Sequence, residues 1–448
     1  MKISPFRAVR PVPEEAARFA ALPYDVFSEA EAREAVSKDP LTFLSADRPE
    51  TAFPEGQDMY APEVYEKAAE LLRSWLSEGI LLQEAAPCYY LYELTMDGRC
   101  QRGLVCVSDV DDYLSGAIKR HENTRRDKEE DRVRHIDVTS MQTGPIFLAY
   151  RQQADLKALV DEAEKQEALY DFVSPDGIRH KLIRISRPEL IAAVTEAFLK
   201  VPNTYIADGH HRAASAVRVC EMRRKAHPGF DGSEEFNRFL TVLFPDEELK
   251  ILDYNRLVKI PEGMDEKEIL DRIGAYFEIA PETAESGGPE DAADPTEIRK
   301  TGRNEQKTQI RKPEQNAQKR KIRKPEQKGE ILLFLKGKRY CMKAREEILS
   351  DDPVDGLDVS LLQRYVLEPV FGIQDPKTDE RIDFVGGIRP VSELEERSIN
   401  ENSAAFVMYP TSLQELFAAA DKGELMPPKS TWFEPKLRSG LFMHEMER

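Results

Sequence analysis

Apolar residues recur along the chain with two different periods. Val64, Ala68, Leu71, Leu72, Trp75 and Leu76 return every three or four positions, the spacing of one helix face, and Gly79 supplies a left-handed stop. Ser28-Glu29-Ala30-Glu31 has the form of a capping box, in which a Ser hydroxyl and a Glu carboxylate satisfy the free amides of a helix start. Ser186-Arg187-Pro188-Glu189 repeats that form ahead of a helix expected to reach Leu199. Elsewhere the apolar residues form short runs. Cys88 to Leu94 and Gly103 to Val107 flank Asp97-Gly98 and predict a hairpin. Pro145 to Tyr150, Lys181 to Ile185, Thr204 to Ala207 and Phe239 to Phe244 predict further strands. Helices are expected near Leu156 to Glu167 and again after Arg212. Beyond residue 329 the alternation resumes, with strands at Ile331 to Leu335 and Ala404 to Tyr409, a helix capped by Asp358, and a helix over Ser412 to Ala420. Interleaved strands and helices define an α+β, mixed α/β class.

With 448 residues the chain is about three times a typical domain of roughly 150, so two or three domains are expected. The pattern divides it into an N-terminal loop and helical segment (1–85), a core carrying the motif loops (86–260), a connecting helix (261–281), an insertion (282–329) and a C-terminal α/β domain (330–448). Charge sharpens the insertion. Against 82 Asp and Glu stand 64 Lys and Arg, a net charge of -18. Six acids and no base lie between Glu282 and Glu297, whereas Ile298 to Lys328 holds twelve Lys and Arg against three Glu, so the rest of the chain carries -21. The basic part repeats Ile-Arg-Lys every 12 residues, at Ile298, Ile310 and Ile322. With few large apolar side chains it is expected to be a disordered, solvated loop expansion. An acidic body argues against nucleic acid or an anionic membrane as the chain's partner.

Cys88, Cys100, Cys106, Cys220 and Cys341 are odd in number and include no Cys-x-x-Cys, which predicts reduced thiols. No secretory leader or membrane-length apolar run is apparent, so a cytoplasmic location is expected.

The chemistry concentrates at Ile206-Ala207-Asp208-Gly209-His210-His211-Arg212-Ala213-Ala214. An apolar strand ends in an acid, turns on a glycine, and presents two His and an Arg in the first turn of an Ala-rich helix. Free amides and the positive end of the helix dipole favour an anion there, His210, His211 and Arg212 add donors, and Gly209 permits close backbone approach. Phosphate or nucleotide binding is the expected role. Adjacent histidines lack the i, i+4 spacing of ligands on one helix face, so no protein cage for a metal is expected, although Asp208 could face Mg. A second cluster, Lys119 to Lys128 with Asp131-Arg132, sits between strands, where a carboxylate among cations suits general base or metal-facing chemistry. Its His121, Thr124 and Arg132 are candidate substrate or phosphate contacts. A third segment, Met426 to Lys436, offers Lys429 and Ser430 on a Pro-stiffened loop, and Leu22-Pro23-Tyr24-Asp25-Val26 is a similar stiff loop.

Together these segments resemble the prokaryotic family known as domain of unknown function 1015. The resemblance is carried by Phe6 to Pro11, Pro23 to Val26, His121 to Thr124, Gly144 to Phe147, Asp208 to Arg212, Leu357 to Ser360 and Pro427 to Lys436. More distantly, Glu122, then Pro145-Ile146, then Asp208-Gly209-His210-His211-Arg212 is similar to the order of elements in the ParB and sulfiredoxin superfamily, which includes free-serine kinases. This resemblance implies a ParB/sulfiredoxin-like nucleotide-binding core, with Glu122 as base and Asp208 near the acceptor hydroxyl or Mg. It also places His210, His211 and Arg212 on phosphates and leads one to expect His-Arg where Asn255-Arg256 stands. The expectation is a phosphotransferase using ATP or ADP with Mg on a small hydroxylated metabolite, L-serine first. The alternative is a non-catalytic nucleotide-sensing or DNA-associated ParB-like regulator.

Overall fold

The computed structural model describes residues 1–282 and 322–446. Most of the expected insertion therefore lies outside the described residues. The chain divides into two compact units, one of Met1–Leu252, Asp352–Val354 and Thr411–Arg448, the other of Asp253–Asp351 and Asp355–Pro410. These limits differ from the expected segments. Residues 1–85 share a unit with the motif core, the crossing falls at Leu252 rather than at 260, and the tail from Thr411 returns to the first unit. Sequence periodicity cannot show such a return, because it reports local faces and not which core they join.

The first unit is built on a nine-stranded mixed sheet. Its strands are β1 (Ile3–Ser4), β2 (Tyr89–Met96), β3 (Arg99–Asp109), β4 (Ile118–Lys119), β5 (Ile146–Tyr150), β6 (Ala168–Val173), β7 (Arg179–Ile185), β8 (Thr204–Asp208) and β9 (Arg238–Pro245). They run in the order β4-β8-β5-β9-β3-β2-β7-β6, with β1 added on β3. The pairs β4/β8 and β5/β9 are parallel and the others antiparallel. The Asp97-Gly98 hairpin forms as expected, with both residues at positive φ. Strand β6 has no counterpart among the expected strands. Its apolar run is broken by Asp171 and it lies at the sheet edge, where Asp171 and Val173 are exposed.

Helices α1 (Pro62–Ser77), α2 (Arg126–Thr139), α3 (Ala154–Ala163), α4 (Pro188–Leu199) and α5 (His210–Ala226) belong to this unit. The Ser28 capping box is present, whereas Ser186 caps nothing: α4 begins at Pro188 with Arg187 as N-cap, one residue later than the box requires. Proline fits that first position because it has no amide to leave unpaired. Helix α2 has almost no apolar face, so its residues carry no helical signal in the sequence beyond a run of charges. It is held by polar contacts to α5: Arg218 to Glu129 at 3.0 Å, Arg223 to Asp137 at 2.8 Å, and Ser215 Oγ donating to the Glu129 carbonyl at 3.0 Å. The core between sheet and helices contains Ile146, Leu148, Ile206, Phe198, Val219 and Phe239, each contributing about 1.5–3 kcal/mol by burial. Gly103 on β3 allows close packing beneath it. A Cβ there would lie 2.5 Å from Phe244 and Val242, so Gly103→Val is expected to prevent folding, read as loss of soluble, cooperatively melting protein.

The second unit carries a six-stranded antiparallel sheet made from Tyr254–Lys259, Phe277–Pro281, Glu330–Leu335, Lys338–Ala344, Ile382–Gly386 and Ser403–Val407. Asp358 is the first helical residue and not the cap, its carboxylate accepting from the Gly329 amide at 2.9 Å. Asn255 and Arg256 are buried on a strand of this sheet, with Asn255 bonded to Asp253 and to the Met408 amide, a structural use of that position. The last Ile-Arg-Lys repeat is folded here, contrary to the expected extent of the loop. Ile322 packs on the core, Arg323 pairs with Glu282 and Glu330, and Lys324 reaches Asp253 at 2.6 Å.

Candidate functional site

The site forms where β8 ends. In the pairing of β8 with β5 the register slips between Ile206 and Asp208, so that two residues of β8 oppose one of β5. Such a bulge re-aims the side chain that follows it. Asp208 leaves the sheet here with 36% of its side chain exposed. Gly209 turns the chain at φ 94° and is the N-cap of α5, a 17-residue helix that has no side-chain cap and no acid in its first turn. Its leading amides therefore lack a capping side chain, and the helix dipole adds partial positive charge.

Arg212 folds back over that turn. It donates to the Pro145 carbonyl at 2.6 Å and to Asp208 Oδ2 at 3.1 Å. A Cβ on Gly209 would sit 3.1 Å from Arg212 Nε. Glycine is thus required twice, for its φ and for the guanidinium lying on it. Gly209→Ala is expected to cost about 1–3 kcal/mol, measured by denaturant unfolding, and to loosen Arg212.

Lys436 Nζ approaches Asp208 Oδ1 at 3.9 Å. Burial by itself would raise the Asp208 pKa, but Lys436, Arg212 and their neighbours outweigh it and hold the carboxyl below its ordinary range. Asp208 is consequently an anion throughout the neutral range, suited to orient a hydroxyl or a hard cation.

His121 arrives from the other side, just past β4, and its carbonyl accepts from the Met426 amide at 2.8 Å. Its ring stands perpendicular to that of His210, with centroids 4.5 Å apart. Both rings are buried. Burial, only partly offset by the Ile206 backbone and Asp208, lowers the His121 pKa to about 4, and burial with the nearby His121 takes His210 well below 6.5. Glu122, half-buried, brings its carboxylate to the same place, and ligand atoms of His121, Glu122 and His210 lie within 4.8 Å of one another. The expectation of no metal cage rests on neighbours along the chain alone and does not reach this grouping. The sheet order, with β4 beside β8, is what joins residues 121 and 210.

His211 points elsewhere. Its Nε2 accepts from the Arg125 amide at 2.9 Å, which leaves the ring proton on Nδ1. Burial lowers its pKa, opposed by Asp25. Among the other candidates, Thr124 donates to Glu129 Oε2 at 3.0 Å and ties the loop to α2. Ser430 donates to the Pro427 carbonyl at 2.6 Å, so its hydroxyl proton is used within its own turn. Lys429, at φ 59°, lies near enough to act electrostatically on both Asp208 and His211.

Arg132 lies over the Tyr24 ring at 4.0 Å and bonds Asp131. It shares with Arg212, Asp47, His135 and Thr143 a cavity of about 30 Å³. That is room for about one water molecule.

A family model described as "Protein of unknown function (DUF1015)" matches residues 3–360. The chain belongs to that family. Among curated proteins none matches the sequence. Similar solved structures include a mutant free serine kinase in complex with ADP, at 12% identity over 75% of this chain and 92% of that one with a TM-score of 0.34. A conserved hypothetical protein from Pyrococcus furiosus is 14% identical over 75% and 95% of the two chains, with a TM-score of 0.32. SbnI with a C-terminal truncation, from Staphylococcus aureus, is 13% identical over 74% and 84%, with a TM-score of 0.33. Likenesses this distant assign no activity. Among the described residues no helix is long and apolar enough to cross a membrane.

Sequence reasoning missed Lys436 as the second cation on Asp208, although it closes the Pro-rich tail segment from Met426. It also missed the apposition of His121 and His210.

The buried histidines carry a stability prediction. His180 is lowered to about 3 by burial and by Arg438, and His135 is lowered by burial and by Arg132. With His121 and His210, these rings stay neutral in the folded chain while the unfolded chain protonates them near 6.5. Stability is thus complete above about 6.5 and declines as pH falls towards 4, because the unfolded state binds more protons there. Thermal unfolding at several pH values should show that decline, and a midpoint independent of pH between about 6.5 and 4 would contradict neutral burial.

Proposed function

We propose that this protein is a nucleotide-dependent phosphotransferase acting on a small hydroxylated metabolite, with free L-serine as the acceptor and ATP or ADP with Mg as the donor. The observation that carries the reading is the corner at Asp208 to Arg212, where uncapped helix amides, Arg212 and Lys436 surround an ionised carboxylate. Amides at a helix start and a paired guanidinium are suited to phosphate oxygens. The motif resemblance to free-serine kinases supplies the acceptor and the ParB/sulfiredoxin-like core.

In this reading Glu122 takes the proton of the acceptor hydroxyl as its oxygen bonds the terminal phosphorus, the phosphoanhydride bond breaks, and ADP (from ATP) or AMP (from ADP) leaves. Asp208 orients that hydroxyl, and its carboxylate oxygen would hold Mg when the cation is bound, a ligand type that suits this hard cation. The His210 turn and Arg212 receive the phosphate oxygens, and Lys429 adds charge from the tail loop. His211, its Nε2 already bonded, positions the Arg125 backbone and approaches phosphate only through Nδ1–H. Catalysis is then mostly positioning and charge stabilisation.

Nucleotide binding provides the first test. Arg212→Ala is expected to weaken ATP or ADP binding by about 10- to 100-fold in calorimetry, since it removes a charged donor. Unchanged affinity in a folded variant would remove Arg212 from the phosphate site.

A further inference from the structure

Among the described residues only four buried side-chain nitrogen or oxygen atoms have no hydrogen-bond partner, and two of the four meet at one place: His121 Nδ1 and His210 Nε2. Buried polar atoms are almost always satisfied, so an orphaned pair calls for an occupant. His121 is 2% exposed and His210 7%. The two rings do not bond each other, and they stand edge to face at 4.5 Å. Each ring thus turns one unbonded nitrogen toward the same place. The third group within reach, Glu122, supplies an anionic oxygen, and all three ligand atoms lie within 4.8 Å.

We propose that His121, Glu122 and His210 form a binding site for an imidazole-preferring divalent cation of the zinc and cobalt class. Two nitrogens and one carboxylate oxygen are the donor set of such ions. Bonds of about 2.0–2.2 Å would need the ligand atoms to draw together by about an ångström. Mg, which favours oxygen ligands at octahedral geometry, is a poor match for this set. Three protein ligands leave a fourth position open to water or to an oxygen of a bound molecule. Asp208 adds negative charge near the rings, against Arg120, which bears on His210. When the cation is bound, Glu122 is a ligand and is withdrawn from proton transfer. The site thereby offers zinc-class metals a means of inhibiting the proposed reaction.

The site rests on its geometry and not on the phosphotransfer reading, so the test is a spectroscopic one. Metal-free, full-length protein is titrated with cobalt(II). The expected result is one ion per chain with the visible absorption of low-coordinate cobalt and no thiolate charge-transfer band. Zinc should displace it and excess Mg should not. His121→Ala and His210→Ala are expected to weaken cobalt binding by about 100-fold and Glu122→Gln by about 10-fold. His211→Ala should change it by less than about threefold, because that ring is bonded elsewhere. Should His210→Ala fail to fold, His210→Asn carries the same expectation. Absence of stoichiometric binding, as a trapped water between the rings would give, overturns the proposal. So does affinity unchanged in folded His121→Ala and His210 variants. Phosphoserine formation can succeed or fail independently of either result, so the two readings are separately refutable.

Discussion

Glu122→Gln is expected to abolish phosphoryl transfer while leaving the chain folded. A positioned base contributes about 100- to 10,000-fold, so kcat should fall by that factor. Glutamine keeps the size of the side chain and a hydrogen-bonding oxygen but cannot take the hydroxyl proton. Because the role proposed for Glu122 is on the acceptor, nucleotide affinity should stay within a few-fold of the unaltered protein. That split distinguishes a lost base from a collapsed site, in which both quantities would fall together. A fully active Glu122→Gln enzyme would remove the residue from the chemistry.

Asp208→Asn is the second large effect expected. The carboxylate faces Arg212 at 3.1 Å and Lys436 at 3.9 Å, and the neutral amide leaves both cations without their counter-charge. Loss of an electrostatic contact made in the transition state lowers kcat by about 100- to 1,000-fold. The stability change should be small, about 1 kcal/mol, because Asp208 is 36% exposed and solvent screens the pair. Since its folded pKa lies below the ordinary 3.8, Asp208 is not the group that titrates on the acid side of neutral. An activity profile should therefore show no loss assignable to Asp208 between about pH 8 and pH 5. A kcat unchanged in Asp208→Asn would contradict its role.

Several parts of this arrangement could be read directly from the residues. The hairpin at Asp97-Gly98, α1 with its Gly79 stop, the Ser28 box and the strand-turn-helix at Asp208 all depend on local backbone preferences, which sequence carries. The mixed α/β class followed from the same periodicities. What could not be read depends on long-range topology. Only the placement of β4 beside β8 puts His121 against His210, and only the return of the tail from Thr411 brings Lys436 to Asp208. Helix α2 was hidden for a different reason. Its contacts to α5 are largely polar and only Val133 and Ile136 join the apolar core, so it lacks the apolar stripe by which helices announce themselves. Ser186 shows the reverse case, a capping pattern present in the sequence and unused because Pro188 fixes the helix start.

The role proposed for the Asp208 corner is transfer of phosphate to a small alcohol. Purified full-length protein incubated with L-serine, Mg and either ATP or ADP should yield phosphoserine with one of the two donors, at a rate that falls by at least about 100-fold in Glu122→Gln. Folded protein that yields no phosphoserine with either donor and binds neither nucleotide would contradict that role.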